Sequence, residues 1–560
     1  MSHGYPPPMA GALNGLRQVA QTLHPKTLKA LREAGAMDPK GPIALARAMP
    51  WLLGRGPSLG IVSQMHALVL GDKPAIYDRH GMQTWKQLDK RANQAAHMLS
   101  SLGLGGSDRV ALVLRNGREM VEVTLGAQKL GIVACPLNTW AKTKELRATL
   151  EQSDPKVLVY DTKHSEQVEQ VADPGIGLVS VGDASKAIDG SIYYEDLMEQ
   201  QPISPPGPFA RNTGTAKIVI HTSGTTGKPK GAARDSSAAG LGTLANLIGR
   251  VPYRRDDVIF CPAPMFHSFG LATFTFGAAL GATMVLPEKF DAEGSLRAIE
   301  EHRATAASFV PVMMRRIVSL DDGIKKRYDL SSLRIVMASG SVLSTDLRRA
   351  ASELFGEVIY DLYGSTETGW VAIATPDDIR TRPKTVGKPV DGIDVAVFSK
   401  DGDRLGPNET GELYIRSDIL FEGYTSGEKK DEREGFMSIG DYGKLDQNGY
   451  LFVESRTDDM VVVGGENVYP IEVEQVIESI DGVNEVTVLG VADDEYGEVL
   501  AAFIVGSADP DRVAETCRAE LATYKVPKRI EVLDELPRNA TGKIVKRDLI
   551  AQLTGAEPLE

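Results

Sequence analysis

At 560 residues the chain is too long for one ordinary hydrophobic core, so two or more domains are expected. Its 42% hydrophobic and 24% charged fractions are those of a soluble globular protein, and a net charge of −13 argues against a general nucleic-acid binder. The cysteines Cys135, Cys261 and Cys517 stand far apart, with neither zinc nor disulfide spacing. They read as small buried side chains of a protein in a reducing cytoplasm.

In chain order, Met1 to Ala10 is proline-rich and uncharged, unlike a secretory signal. Residues 1–60 hold seven Lys/Arg against Glu33 and Asp38, a charge of +5 attached to a remainder of −18. Leu13, Leu16, Val19, Ala20 and Leu23 fall there at helical spacing. A helical arm packed on the main domain is expected, and peripheral contact with an anionic membrane surface is the competing expectation. From Lys73 strands alternate with helices. Ala75–Tyr77 reads as a strand, Thr84 to Leu102 as a helix, Val110–Val113 as a buried strand, and Glu119–Leu130 as a helix leading into Ile132–Pro136. Further strands are expected at Val157–Tyr160, Ile218–His221, Val258–Cys261, Thr283–Leu286, Ala307–Val310, Ile335–Ala338 and Val358–Tyr360. This alternation implies parallel α/β layers. Pro202 to Pro208 is a stiff connector, and Gly270 to Pro287, although uncharged, reads as core and not as a membrane span. After about Gly387 short strands and turns suggest a small β subdomain, and beyond Arg456 a β-β-α-β-β-α order suggests a compact α+β unit. The expected domains are therefore 1–60, 61–456 and 457–560.

The most informative stretch is Thr222-Ser-Gly-Thr-Thr-Gly-Lys-Pro-Lys-Gly231. Glycines 224 and 227 let backbone N–H groups approach an anion. The hydroxyls of Thr222, Ser223, Thr225 and Thr226 add donors, and Lys228 and Lys230 add charge, a chemistry suited to nucleotide phosphates. It departs from the common phosphate loop, because Thr222 replaces the first glycine and Pro229 follows the lysine. Alone it would be a solvated loop. Its partners are Tyr363-Gly-Ser-Thr-Glu367, Gly440-Asp441, Arg456-Thr-Asp-Asp459, Gly464-Gly-Glu-Asn467 and Thr541-Gly-Lys543, in that order.

This ordered set, running from about Ala67 to Leu553, resembles the adenylate-forming superfamily of acyl-CoA synthetases, luciferases and peptide-synthetase adenylation domains. The resemblance implies a large N-terminal domain of layered α/β subdomains plus a β subdomain, a small mobile α+β C-terminal domain, and a site between them. It also implies ATP and Mg²⁺ as cofactors and CoA as acyl acceptor. Activation proceeds through a mixed anhydride with AMP, a step that needs positive charge and positioning more than acid or base.

Carried onto this sequence, the resemblance makes Glu367 the Mg²⁺ anchor, and Thr366 a ligand of the α-phosphate. Tyr363 and Gly364 would face adenine, with Gly340 and Ser341 on a neighbouring loop. Asp441 would accept both ribose hydroxyls, and Arg456 would reach ribose or phosphate. The sequence departs at Ser438-Ile439-Gly440, where Ile439 removes the usual hydroxyl. Asp458 would be the hinge about which the C-terminal domain swings, Lys543 the charge bridging carboxylate and α-phosphate, and Gly464 and Gly465 the lining of a pantetheine tunnel. Phe266, His267, Gly270 and Phe309 would line the acyl pocket. The small residues between Phe266 and Gly281 suggest room for an alkyl chain, so a medium- or long-chain fatty acid is expected first and an aryl acid second. An acyl-AMP ligase loading a carrier protein and a catalytically silent relative are the other classes; Glu367, Asp441 and Lys543 together count against silence. A stand-alone cytoplasmic enzyme is expected, with peripheral membrane attachment and a homodimer left open.

Overall fold

The computed structural model describes residues 29, 32–35, 39–55, 58–207, 217–223, 229–235, 241–365, 367–417, 430–456, 461–463, 466–493, 497–538 and 544–554. Two large sheets build the N-terminal domain. The first has nine strands, in the order Lys388–Pro389, Gly369–Ala374, Ile359–Ser365, Ile335–Ala338, Ala306–Phe309, Val258–Phe260, Thr283–Val285, Pro74–Asp78 and Gly81–Thr84. Neighbours from Ile359–Ser365 through Pro74–Asp78 run parallel, and antiparallel strands close both edges. Ala306–Phe309 and Ile335–Ala338 are buried at every position, as strands covered by helices on both faces must be.

The second sheet has seven strands, ordered Ile192–Tyr193, Gly177–Val181, Val157–Asp161, Arg109–Val113, Val133–Pro136, Lys217–Ser223 and Pro229–Asp235. Helices Trp85–Ser101 and Arg118–Leu130 pack closely together: a Cβ at Gly126 would come within 2.8 Å of the Ala96 nitrogen, so only glycine allows the approach. Thr84 and Gln87 start the first of these helices with a reciprocal capping box.

An antiparallel subdomain follows, with Ile393–Phe398, Gly411–Ser417 and Phe436–Leu445 side by side, and both Glu432–Arg433 and Leu451–Arg456 paired to Phe436–Leu445. The C-terminal sheet is ordered Glu466–Val468, Val461–Val463, Gly497–Gly506 and Val483–Asp493, with Arg529–Leu533 added parallel to Gly497–Gly506. Its own core gathers Val468, Val473, Ile477, Val488, Leu500, Ile504, Val513 and Cys517. A bond bundle at Arg315, on helix Pro311–Val318, joins the two domains: Nη2 reaches Glu478 at 2.8 Å and Nη1 donates to the Asn484 carbonyl at 2.9 Å.

Several expectations change in detail. The strand expected at Val358–Tyr360 runs on as Ile359–Ser365, so Tyr363 and Gly364 sit on a strand. Helix Leu59–Val69 crosses the boundary drawn at residue 60 and buries Leu59, Gly60 and Ile61. Leu13 to Leu23 lie outside the described residues. The uncharged stretch resolves into helix Ser268–Leu280, a left-handed turn at Gly281 (φ 80°) and strand Thr283–Val285. No helix among the described residues is long and apolar enough to cross a membrane. All three cysteines are buried and free, and burial pushes the Cys135 and Cys261 thiols up to about 12.

Candidate active site

Residues expected at the nucleotide come together where the nine-stranded sheet meets the β subdomain. The Tyr363 hydroxyl donates to Asp441 Oδ2 at 2.5 Å, across 78 residues of sequence. Asp441 lies on strand Phe436–Leu445, directly opposite Arg456 in the pairing with Leu451–Arg456. Three of the residues singled out in the sequence are thereby brought into one neighbourhood. Ile439, the departure from the usual motif, is 4% exposed and belongs to the main hydrophobic core. The missing hydroxyl is thus replaced by apolar packing. Gly440 follows in the left-handed region (φ 85°), and its N–H donates to Ser438 Oγ at 3.1 Å.

Gly364 is dictated by backbone. A Cβ there would lie 1.8 Å from the Gly369 carbonyl oxygen, at the point where the register with Gly369–Ala374 shifts. Ser365 then closes a tight turn: its Oγ accepts the N–H groups of Glu367 and Thr368, each at 3.2 Å, and its N–H donates to Thr368 Oγ1 at 2.9 Å. That turn fixes the backbone under Glu367. Ser339 Oγ donates to the Leu362 carbonyl at 2.8 Å, which ties the 339–341 loop to the tyrosine strand. Gly340 has φ 98° and Ser341 is exposed.

The stretch expected to bind phosphate is flanked by a hairpin of two strands. Lys217–Ser223 pairs with Pro229–Asp235, setting Thr222 opposite Lys230 and Ser223 opposite Pro229. Pro229, Lys230 and Gly231, expected in the loop, belong to a strand. Gly224, Thr225, Thr226, Gly227 and Lys228 lie outside the described residues, as do Thr366, Asp458, Gly464, Gly465 and Lys543. His221, at the base of the hairpin, is held by burial down to about 4 and is therefore neutral.

At the acid end, His267 precedes helix Ser268–Leu280, and its ring centroid lies 4.4 Å from that of the buried Phe266. Trp140 was missed by sequence reasoning. It is 50% exposed, stands edge-on to Phe266 at 5.3 Å and lies 6.4 Å from His267. A tryptophan in the polar loop between Val133–Pro136 and the next helix was the signal that could have found it.

Two residues expected to line the acyl pocket, Phe309 and Gly270, are packed against protein. Phe309 is fully buried between Phe260 (5.9 Å) and Phe355 (6.1 Å) in a core cluster on one face of its strand. The preceding Ser308 points the other way, 3.3 Å from Thr273 on helix Ser268–Leu280. Strand alternation therefore turns Phe309 away from the pocket helix. At Gly270 the direction a side chain would take is filled, because a Cβ there would sit 2.2 Å from the Pro264 carbonyl oxygen, and at Gly277 it would meet Met284 Sδ at 2.6 Å. The space these glycines leave is filled by protein. The less buried stripe of this helix is Ser268, Ala272, Thr275 and Ala279.

Among the described residues no three His, Cys, Asp or Glu side chains gather to hold a metal ion. A lone carboxylate such as Glu367, beside phosphate oxygens and water, is the donor set that a hydrated Mg²⁺ takes, so the residues fit that ion.

A family model described as AMP-binding enzyme matches residues 64–425, and one described as AMP-binding enzyme C-terminal domain matches residues 472–543. The chain belongs to the AMP-binding enzyme family. The long-chain-fatty-acid–CoA ligase FadD13 of Mycobacterium tuberculosis is 31% identical over 484 residues, covering 85% of this chain and 94% of the relative. The indoleacetate–CoA ligase of Aromatoleum aromaticum is 31% identical, covering 88% of this chain and 98% of the relative. Among solved structures, the anthranilate CoA ligase AuaEII in complex with anthranoyl-AMP is 26% identical and superposes with a TM-score of 0.80 over 89% of this chain and 98% of that one. Within the AMP-binding enzymes this chain is an acyl-CoA synthetase, an ATP-dependent, AMP-forming acid–thiol ligase.

Proposed function

We propose that the protein activates an apolar monocarboxylic acid, a medium- or long-chain fatty acid or an aryl acid, as its acyl-AMP with release of pyrophosphate, and then passes the acyl group to CoA with release of AMP. The observation that carries this reading is the Tyr363–Asp441 contact with Arg456 opposite. It brings a ring face for adenine to a carboxylate for a ribose diol, with Arg456, assigned to ribose or phosphate, paired to that carboxylate's residue on the neighbouring strand. Tyr363 stacks on adenine, Asp441 accepts from the ribose hydroxyls, Thr366 holds an α-phosphate oxygen, and Glu367 anchors Mg²⁺. When bound, Mg²⁺ held by Glu367 supplies charge neutralisation at the phosphates. Lys228, Lys230 and Lys543 add the remaining positive charge, which lowers the repulsion between carboxylate and phosphate. The C-terminal domain swings about Asp458, so that Lys543 serves the first step and Gly464 and Gly465 line the thiol path in the second.

Alkyl and aryl acids stand level in this reading. The glycines that suggested room for an alkyl chain are occupied by backbone and Met284, whereas Trp140, Phe266 and His267 offer flat rings. The test is a panel of C4 to C18 and aryl acids with ATP and Mg²⁺, with and without CoA, measuring AMP and acyl-CoA. Turnover that needs CoA and peaks on one acid class supports the reading and names the substrate. Pyrophosphate release without thioester would redirect it to a carrier-protein acceptor, and silence on every acid would overturn it.

A further inference from the structure

The Tyr363–Asp441 contact joins two sheets that share the main hydrophobic core, a packing that fixes their separation only loosely. A buried arginine that the reaction itself does not require adds directional bonds between them. Arg348 lies on helix Thr345–Phe355 with its side chain 5% exposed. Its Nη2 donates to Asp361 Oδ2, two residues before Tyr363 on the same strand. Its Nη1 donates to the Pro383 carbonyl and, at 2.9 Å, to the Thr385 carbonyl. One guanidinium thus gathers three acceptors from two segments.

The second segment leads to the other half of the contact. Thr385 Oγ1 donates to the Leu451 carbonyl at 2.8 Å and accepts the Gly387 N–H at 2.9 Å, while the Leu451 N–H donates to the Gly387 carbonyl at 2.8 Å. Gly387 is pressed against the Ile373 backbone, where a Cβ would fall 2.0 Å from its carbonyl oxygen. Leu451 begins the strand that ends at Arg456, opposite Asp441. The bonds therefore close a ring: Tyr363, Asp361, Arg348, Thr385, Leu451, Arg456, Asp441 and back to Tyr363.

We infer that Arg348 is a positioning residue for ATP, setting the separation of Tyr363 and Asp441 without touching the nucleotide. The inference rests on the proposed assignment of those two residues to adenine and ribose. Asp361 needs a cation, since burial alone pushes its carboxyl up and Arg348 opposes that push. A lysine would answer the charge, but its single nitrogen cannot reach three acceptors that the planar fork spans.

The experiment is steady-state kinetics on the full chain carrying Arg348→Lys, Tyr363→Phe or both, with Thr385→Val as a milder cut of the Leu451 link. Arg348→Lys is expected to raise KM for ATP about 10-fold and leave KM for acid and CoA within about twofold; Thr385→Val should follow at about 3-fold. In the Tyr363→Phe background Arg348→Lys should add little, because both cut one ring. A folded Arg348→Lys with unchanged KM for ATP overturns the inference, as does an equal rise in all three KM values with a lower Tm. If Arg348→Lys does not fold, Thr385→Val decides by the same criteria. An unchanged KM for ATP in Tyr363→Phe would instead remove the nucleotide assignment beneath it.

Discussion

At the nucleotide end, segments around residues 348, 361, 385, 441 and 451 are tied by directional bonds, and glycines 364 and 387 are fixed by backbone only 1.8 and 2.0 Å from where a Cβ would stand. At the residues expected around the acid, three rings have centroids 4.4 to 6.4 Å apart, tilted or edge-to-face, and one of them is half in solvent. Hydrogen bonds fix angles and distances, whereas ring contacts fix only shape and tolerate exchange of one apolar group for another. On the proposed function, the nucleotide would be held by groups fixed through bonds and the acid by groups fixed through packing. Variants should therefore separate into those that move ATP kinetics and those that move acid selection.

The largest separation should come from Lys543→Ala. Acyl-AMP formation should fall by about 10²-fold or more, the scale of losing one key electrostatic contact, while thioester formation from supplied acyl-AMP persists. Single-turnover measurement of both half-reactions checks this, and equal losses would remove the two-arrangement scheme. Tyr363→Phe comes next. Deleting a hydroxyl that donates to a carboxylate should raise KM for ATP by about 10-fold, in keeping with about 1.5 kcal/mol for a charge-assisted bond. Acid KM should not follow. If it did, the two ends would not be separable.

Tyr363, Glu367, Asp441 and Arg456 stand out in the sequence by residue type and order, and the structure bonds Tyr363 to Asp441 and pairs Asp441 with Arg456. Arg348, Asp361 and Thr385 were invisible, since a buried ion pair assembled from a helix, a strand and a loop has no local spacing. Strand and helix order in the large domain followed from apolar runs such as Ile335–Ala338, and the alternation gave the parallel sheets. Hairpin pairing at Lys230 and the extension of the tyrosine strand to Ser365 were missed for one reason: glycine, serine and proline read as turn formers until a partner strand is present. At the acid end the small residues of helix Ser268–Leu280 suggest space, yet whether a glycine opens a cavity or admits a neighbour depends on what lies opposite, which one chain segment does not encode.

Gly270→Ala tests that point. Its Cβ would strike the Pro264 carbonyl, a backbone atom that cannot step aside, so a loss of about 1–3 kcal/mol and a lower Tm are expected, with no new preference for longer acids. A stable variant with an altered acid profile would show that the position faces substrate after all.

Trp140→Ala should have the smallest effect, and it bears most directly on the acid end. The indole is half exposed and contacts Phe266 by its edge, so its removal should cost the fold little. An edge-to-face ring contact is worth about 0.5–1.5 kcal/mol, which corresponds to a 2- to 10-fold change if a substrate ring exchanges it for a contact of its own. Aryl acids should therefore lose about that factor in kcat/KM, with alkyl acids less affected and KM for ATP unchanged. The ratio of aryl to alkyl kcat/KM, wild type against variant, is the measurement. A uniform loss across acids would make Trp140 a simple lid over Phe266. A shift confined to CoA would place the indole on the thiol side of the site, and the aromatic wall would then begin at Phe266.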